Sequence, residues 1–254
     1  MTLLTAGCGI SQASFPHWPT WVKYSEITHS CKHINIGGPA AGNEFLTHTI
    51  IDAVANNNID CAIIMWTEFT KTDLYIENQE IVDEITTYNL RNFVLNNIGM
   101  ITNTAPCWWP SSVGIDNRIK GWMYDNIYSK FHHLRTTLLN IAAVQNVLNQ
   151  KNIPYYMFLG YDIDMTDAEK YGIDLRRFVT LEPLEDNFYN SKWINYSTTK
   201  KYGMVPVAGW HWEFYKEQIM PIMNEYYPRS IAKLDKLEVA AYHITTKCFE
   251  KGVS

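Results

Sequence analysis

A chain of 254 residues with 46% hydrophobic and 19% charged residues can bury a full core, which excludes a disordered segment and fits one large domain spanning 1–254. The net charge of −5 and a pI near 5.9 leave no broad basic face for a phosphate backbone, so nucleic acid is not an expected partner. No apolar run approaches the roughly 18–20 residues that cross a bilayer, and no membrane association is expected.

The chain opens on "TLLTAGCGIS", Thr2 to Ser11, whose apolar start predicts a buried strand over 2–7 ending at Gly7. Cys8 follows "LTAG" as a lipoprotein cysteine would. A signal peptide needs a basic region and an apolar stretch of roughly 7–15 residues before cleavage, and seven residues cannot supply both. A second strand is expected over "HINIGG" (33–38). The stretch 42–57, "GNEFLTHTIIDAVANN", then reads as a helix, with Phe45, Ile50 or Thr49, Ala53 and Val54 near one face. "CAIIMWT" (61–67) is the third strand. The segment 68–118, rich in Pro, Ser and Trp, reads as a long excursion over the sheet edge, of the kind that forms lids or interfaces.

A longer helix is predicted over about 120–150, where Leu134, Leu138, Ile141, Val144, Gln145 and Leu148 keep a spacing of three and four. Pro154 ends it, and "YYMFLGY" (155–161) is the fourth strand. Near the C-terminus Trp212, Tyr215, Ile219, Ile222 and Tyr226 form one helical face that Pro221 should kink. A last helix over about 231–250 carries Leu234, Leu237, Ala241 and Ile244. The five cysteines, Cys8, Cys31, Cys61, Cys107 and Cys248, make no CxxC pair and read as reduced thiols of a protein made in a cytoplasm.

Strands alternating with helices imply an α/β fold with a parallel sheet and right-handed crossovers, in which a ligand sits beyond the carboxyl ends of the strands. The residues to read are therefore "GCGIS", "GGPAAGN", "WTEFTK" and "GYDID". "GCGISQ" fails as a dinucleotide turn: Gln12 stands at the third glycine, and Gly37 and Gly38 stand where an acid should hold the ribose. "GGPAAGN" lacks the Lys-Ser/Thr pair of a P-loop. No cofactor is expected. His132 and His133 are adjacent on a helix, point apart and cannot form an i, i+4 metal pair.

Gly7-Cys8, Trp18 and Trp21, Asn35 to Glu44, Trp66-Thr67, Lys151 to Tyr155 ("KNIPY") and His211 follow one another in the order of a known pattern. In these pieces the chain resembles the SGNH (GDSL-like) hydrolase superfamily, in its compact tailed-phage type. The resemblance implies a three-layer α/β/α sandwich with a flavodoxin-like parallel sheet. It also implies an acyl-ester hydrolase of surface polysaccharide, with a serine after the first strand, a C-terminal His as base and an Asp three residues before it. This chain departs from the pattern at three places. The family serine position reads Gly9, the Asp position reads Ala208, and Glu68 stands about where an Asn should donate to the oxyanion.

His211 is then the expected base, and Ser11 or Cys8 on the same turn the nucleophile. Each has a bland alternative, as a packed aromatic neighbour, a helix cap and a buried thiol respectively. Gly9, Ala40, Asn43, Trp66 and Thr67 are the expected oxyanion and substrate-binding set. Asp162 and Asp164 could orient His211 or bind a metal. Two functions remain open. One is an ester hydrolase acting on a small acyl ester or carbohydrate. The other is an inactive binding or structural protein on the same scaffold, part of a virion or self-associating, with its Trp and Tyr residues as a docking surface.

Overall fold

The computed structural model describes residues 2–8, 11, 19–29, 31–38, 41–71, 73–81, 83, 107–110, 129–181, 208–227 and 241. Five strands form one parallel sheet: β1 (Thr2–Ala6), β2 (Lys32–Asn35), β3 (Cys61–Trp66), β6 (Tyr155–Leu159) and β7 (Phe178–Thr180). Their spatial order, β2-β1-β3-β6-β7, is the 2-1-3-4-5 order of a flavodoxin-like α/β sheet. The fold is therefore α/β, as the alternation of elements predicts.

The two faces of the sheet carry different partners. Leu4, Ala6, Ala62, Ile64, Trp66, Met157 and Leu159 pack against helices α2 (Asn43–Asn56) and α3 (Lys130–Gln150). Leu3, Cys61, Ile63, Met65 and Phe158 pack against α1 (Trp21–Thr28), α4 (Ala208–Phe214) and the helical stretch after α4. All six β3 residues are buried, because alternate side chains enter opposite cores. This is why the strand reads as a continuous apolar run.

Local chemistry sets the element ends. Helix α3 starts at Ser129, whose side chain accepts from the His132 amide. The expected 120–128 portion of that helix lies outside the described residues, as does the expected helix over 231–250 apart from Ala241. Pro221 cannot donate to the carbonyl of Glu217. The helix widens to a π turn over Tyr215–Ile219, where the Met220 amide reaches Tyr215, and continues as α5 (Met220–Tyr226) with Pro221 in its first turn.

Within the long 68–118 segment, β4 (Asp73–Ile76) pairs antiparallel with β5 (Cys107–Pro110) as a separate two-stranded sheet. Four-residue strands carry too little periodicity to stand out in a sequence. Among the described residues no helix is long and apolar enough to cross a membrane. Cys8, Cys31 and Cys61 carry free thiols.

Candidate functional site at the carboxyl ends of the strands

The turn after β1 is tight. The Ser11 amide donates to the Cys8 carbonyl at 2.8 Å, and Gly7 has φ 156°. A Cβ at Gly7 would overlap the Ser11 hydroxyl, so this close approach requires glycine. Ser11 is fully buried, and its Oγ donates to the Met65 sulfur at 3.5 Å; Cys8 is buried beside it in the chain. Gly9 and Ala40 lie outside the described residues.

Asn43 opens α2 and ties it to the end of β3. Its Nδ2 donates to the Thr67 carbonyl at 3.0 Å and to Thr137 Oγ1 at 3.2 Å, while its Oδ1 accepts from the Thr67 amide at 3.0 Å. Both amide hydrogens are thus given to protein acceptors, so Asn43 positions Thr67 and α2. Removing this side chain orphans buried backbone groups on Thr67. Asn43→Ala is expected to lower stability by about 2–3 kcal/mol in urea unfolding.

Trp66 and Thr67 are both fully buried. The Trp66 indole donates to the Met157 sulfur at 3.3 Å. Thr67 Oγ1 accepts from the Lys71 ammonium at 2.7 Å, and that ammonium lies 4.5 Å from the centre of the Tyr161 ring. Glu68, half-buried, accepts from the Thr70 hydroxyl. Lys71 therefore bridges the ends of β3 and β6.

Asp73, on β4, is the residue that sequence reasoning missed. The N-cap of helix α2 is Gly42, which has no side chain to cap the free amides. Asp73 supplies the cap from 31 residues away: Oδ1 accepts from Gly42 N at 2.9 Å and Oδ2 from Phe45 N at 2.8 Å. A Cβ at Gly42 would overlap the carboxylate. Burial pushes the Asp73 carboxyl up to about 7, Glu44 raises it further, and the two amides and Lys71 act against the rise. The available signal was a helix that opens on glycine.

His211 sits in α4, fully buried, with its ring 5.1 Å from that of Trp210 in an edge-on contact. Neither ring nitrogen has a hydrogen-bond partner among the described residues, and burial alone pulls the imidazole down to about 3. Ala208, three residues earlier, is buried, and its carbonyl accepts from Tyr24 Oη at 3.4 Å. Asp162 and Asp164 are exposed and do not bond His211, so neither orients the imidazole. No group of three or more His, Cys, Asp or Glu residues among those described could hold a metal ion.

Comparison of the chain with protein-family models, with curated proteins and with solved structures finds no match.

Proposed function

We propose that the chain is an SGNH-hydrolase-type protein, a three-layer α/β/α sandwich on a flavodoxin-like sheet, that serves as a binding or structural component and has lost acyl transfer. The 2-1-3-4-5 strand order and the glycine-bounded turn after β1 support the scaffold. The state of His211 carries the loss of activity. A general base must reach its nucleophile and become charged as it takes the proton. A fully buried imidazole with no hydrogen-bond partner among the described residues and a strongly depressed pKa is poorly placed for either. Ala208 at the orienting position, Asn43 with both amide hydrogens committed, and Ser11 packed on Met65 point the same way. The tailed-phage resemblance favours docking within a virion, or against further copies of the chain, over turnover of a small acyl ester or carbohydrate.

The assay is hydrolysis of short-chain aryl acetates by the unmodified protein and by His211→Ala. Equal rates at the uncatalysed background are expected. Turnover that His211→Ala abolishes would overturn the proposal and establish the second reading, an esterase. That reading draws support from Ser11, held on the turn after β1 two residues beyond the family's nucleophile position at Gly9. Ser11→Ala and Cys8→Ala would then show which atom attacks.

A further inference from the structure

Beside the carboxyl end of β6, the loop that follows the strand and the first turns of α3 enclose a cleft of about 120 Å³. That is the volume of about four waters, less than a hexose fills, so a single ring would lie with one face in the cleft and the other in solvent. None of its lining residues belongs to the set built on Ser11, Asn43 and His211. Its floor is apolar, made by Leu134 and Leu138. Phe131 lines one side and is 73% exposed as a residue, and Tyr171 adds a second aromatic side chain.

Polar groups complete the lining. Arg135 makes no hydrogen bond or ion pair among the described residues, so its five donors are uncommitted. Asp164 holds the Thr166 amide with Oδ1, and Asp167 holds Lys170 with Oδ1. Arg135 and Lys170 balance the two carboxylates, so the cleft carries no net charge to recognise an ion.

We propose that this cleft is a binding site for a neutral saccharide ring. A pyranose presents an apolar C–H face to stack on Phe131 and a rim of hydroxyls that both donate and accept. A planar guanidinium beside carboxylates matches such vicinal hydroxyls in both senses. An anion would meet Asp164 and Asp167, and a purely apolar ligand would bury the Arg135 guanidinium without a partner. By contrast, the wider cleft lined by Asn56, Asn57, Asn58 and Lys151 has no aromatic ring to stack on.

The proposal is independent of catalysis, since its readout is binding. The probes are the methyl glycosides of glucose, galactose and N-acetylglucosamine, titrated into the uniformly ¹⁵N-labelled full chain. At least one is expected to shift the backbone amides of Arg135, Thr166 and Asp167. Phe131→Ala and Arg135→Ala should each weaken that response by about tenfold. Both positions are exposed, so the rest of the spectrum should stay unchanged and report an intact fold. Silence at these amides with all three glycosides overturns the proposal. So does an equal response to cyclohexanol, a ring of similar size without the hydroxyl rim, or an undiminished response in both variants.

Discussion

Asp73→Ala is expected to lower the stability of the protein by about 2–5 kcal/mol at pH 5, because it orphans two buried backbone amides at the start of α2. Its dependence on pH follows from the raised carboxyl. With a folded value of about 7 against an ordinary value of 3.8, the native state holds this proton where the unfolded chain releases it. The Asp73 contribution therefore declines as pH rises from about 4 to about 7 and is flat above. The fall is on the order of 4 kcal/mol. Asp73→Ala should cost less at pH 8 than at pH 5, and Asp73→Asn should remove the slope. Urea unfolding of the three proteins at the two pH values checks this. A cost for Asp73→Ala that grows toward alkaline pH would contradict the burial described for this carboxyl.

His211 should impose a slope of opposite sign. Its imidazole, pulled down to about 3 from 6.5, stays neutral in the native state while the unfolded chain takes up a proton below pH 6.5. Stability is therefore fully present above pH 6.5 and is lost as pH falls toward 3, by an amount on the order of 5 kcal/mol. Between pH 4 and 6.5 the two slopes oppose each other, so the unmodified protein should show a nearly flat profile in that window from this pair. Asp73→Asn should expose the acid-side loss due to His211, and His211→Leu should expose the alkaline-side loss due to Asp73. His211→Leu should also gain about 1–2 kcal/mol at pH 7, since it removes buried ring nitrogens that have no partner among the described residues. An unchanged acid limb in His211→Leu would show that the imidazole is charged or solvated in the native state.

Legibility in the sequence tracked how local each feature is. Strands β1, β3 and β6 stood out as short apolar runs, because a parallel strand between two cores must be apolar on both faces. The apolar runs extend one or two residues past the strands, to Gly7, Thr67 and Gly160-Tyr161. The Gly160 amide still bonds the Trp66 carbonyl at 2.8 Å, so ladder-like contact persists beyond the strand itself. The three-residue β7 and the four-residue β4 and β5 are too short to show a period in the sequence. Asn43, Trp66 and Thr67 were correctly located at strand and helix ends. Their side chains, however, are spent on Thr67, Met157 and Lys71, which no spacing rule reveals.

The sequence by itself determined the alternation of strands and helices, and hence the α/β class, because side-chain period and crossover length follow from backbone geometry. Tertiary structure alone decided that Asp73 caps a helix from 31 residues away, that His211 is fully buried against Trp210, and that Phe131, Arg135 and Asp164 share one cleft. Each of these depends on which distant segments approach when the two cores close on the sheet. Hydrogen-bond partners and desolvation are set by that approach, and residue order does not encode them locally.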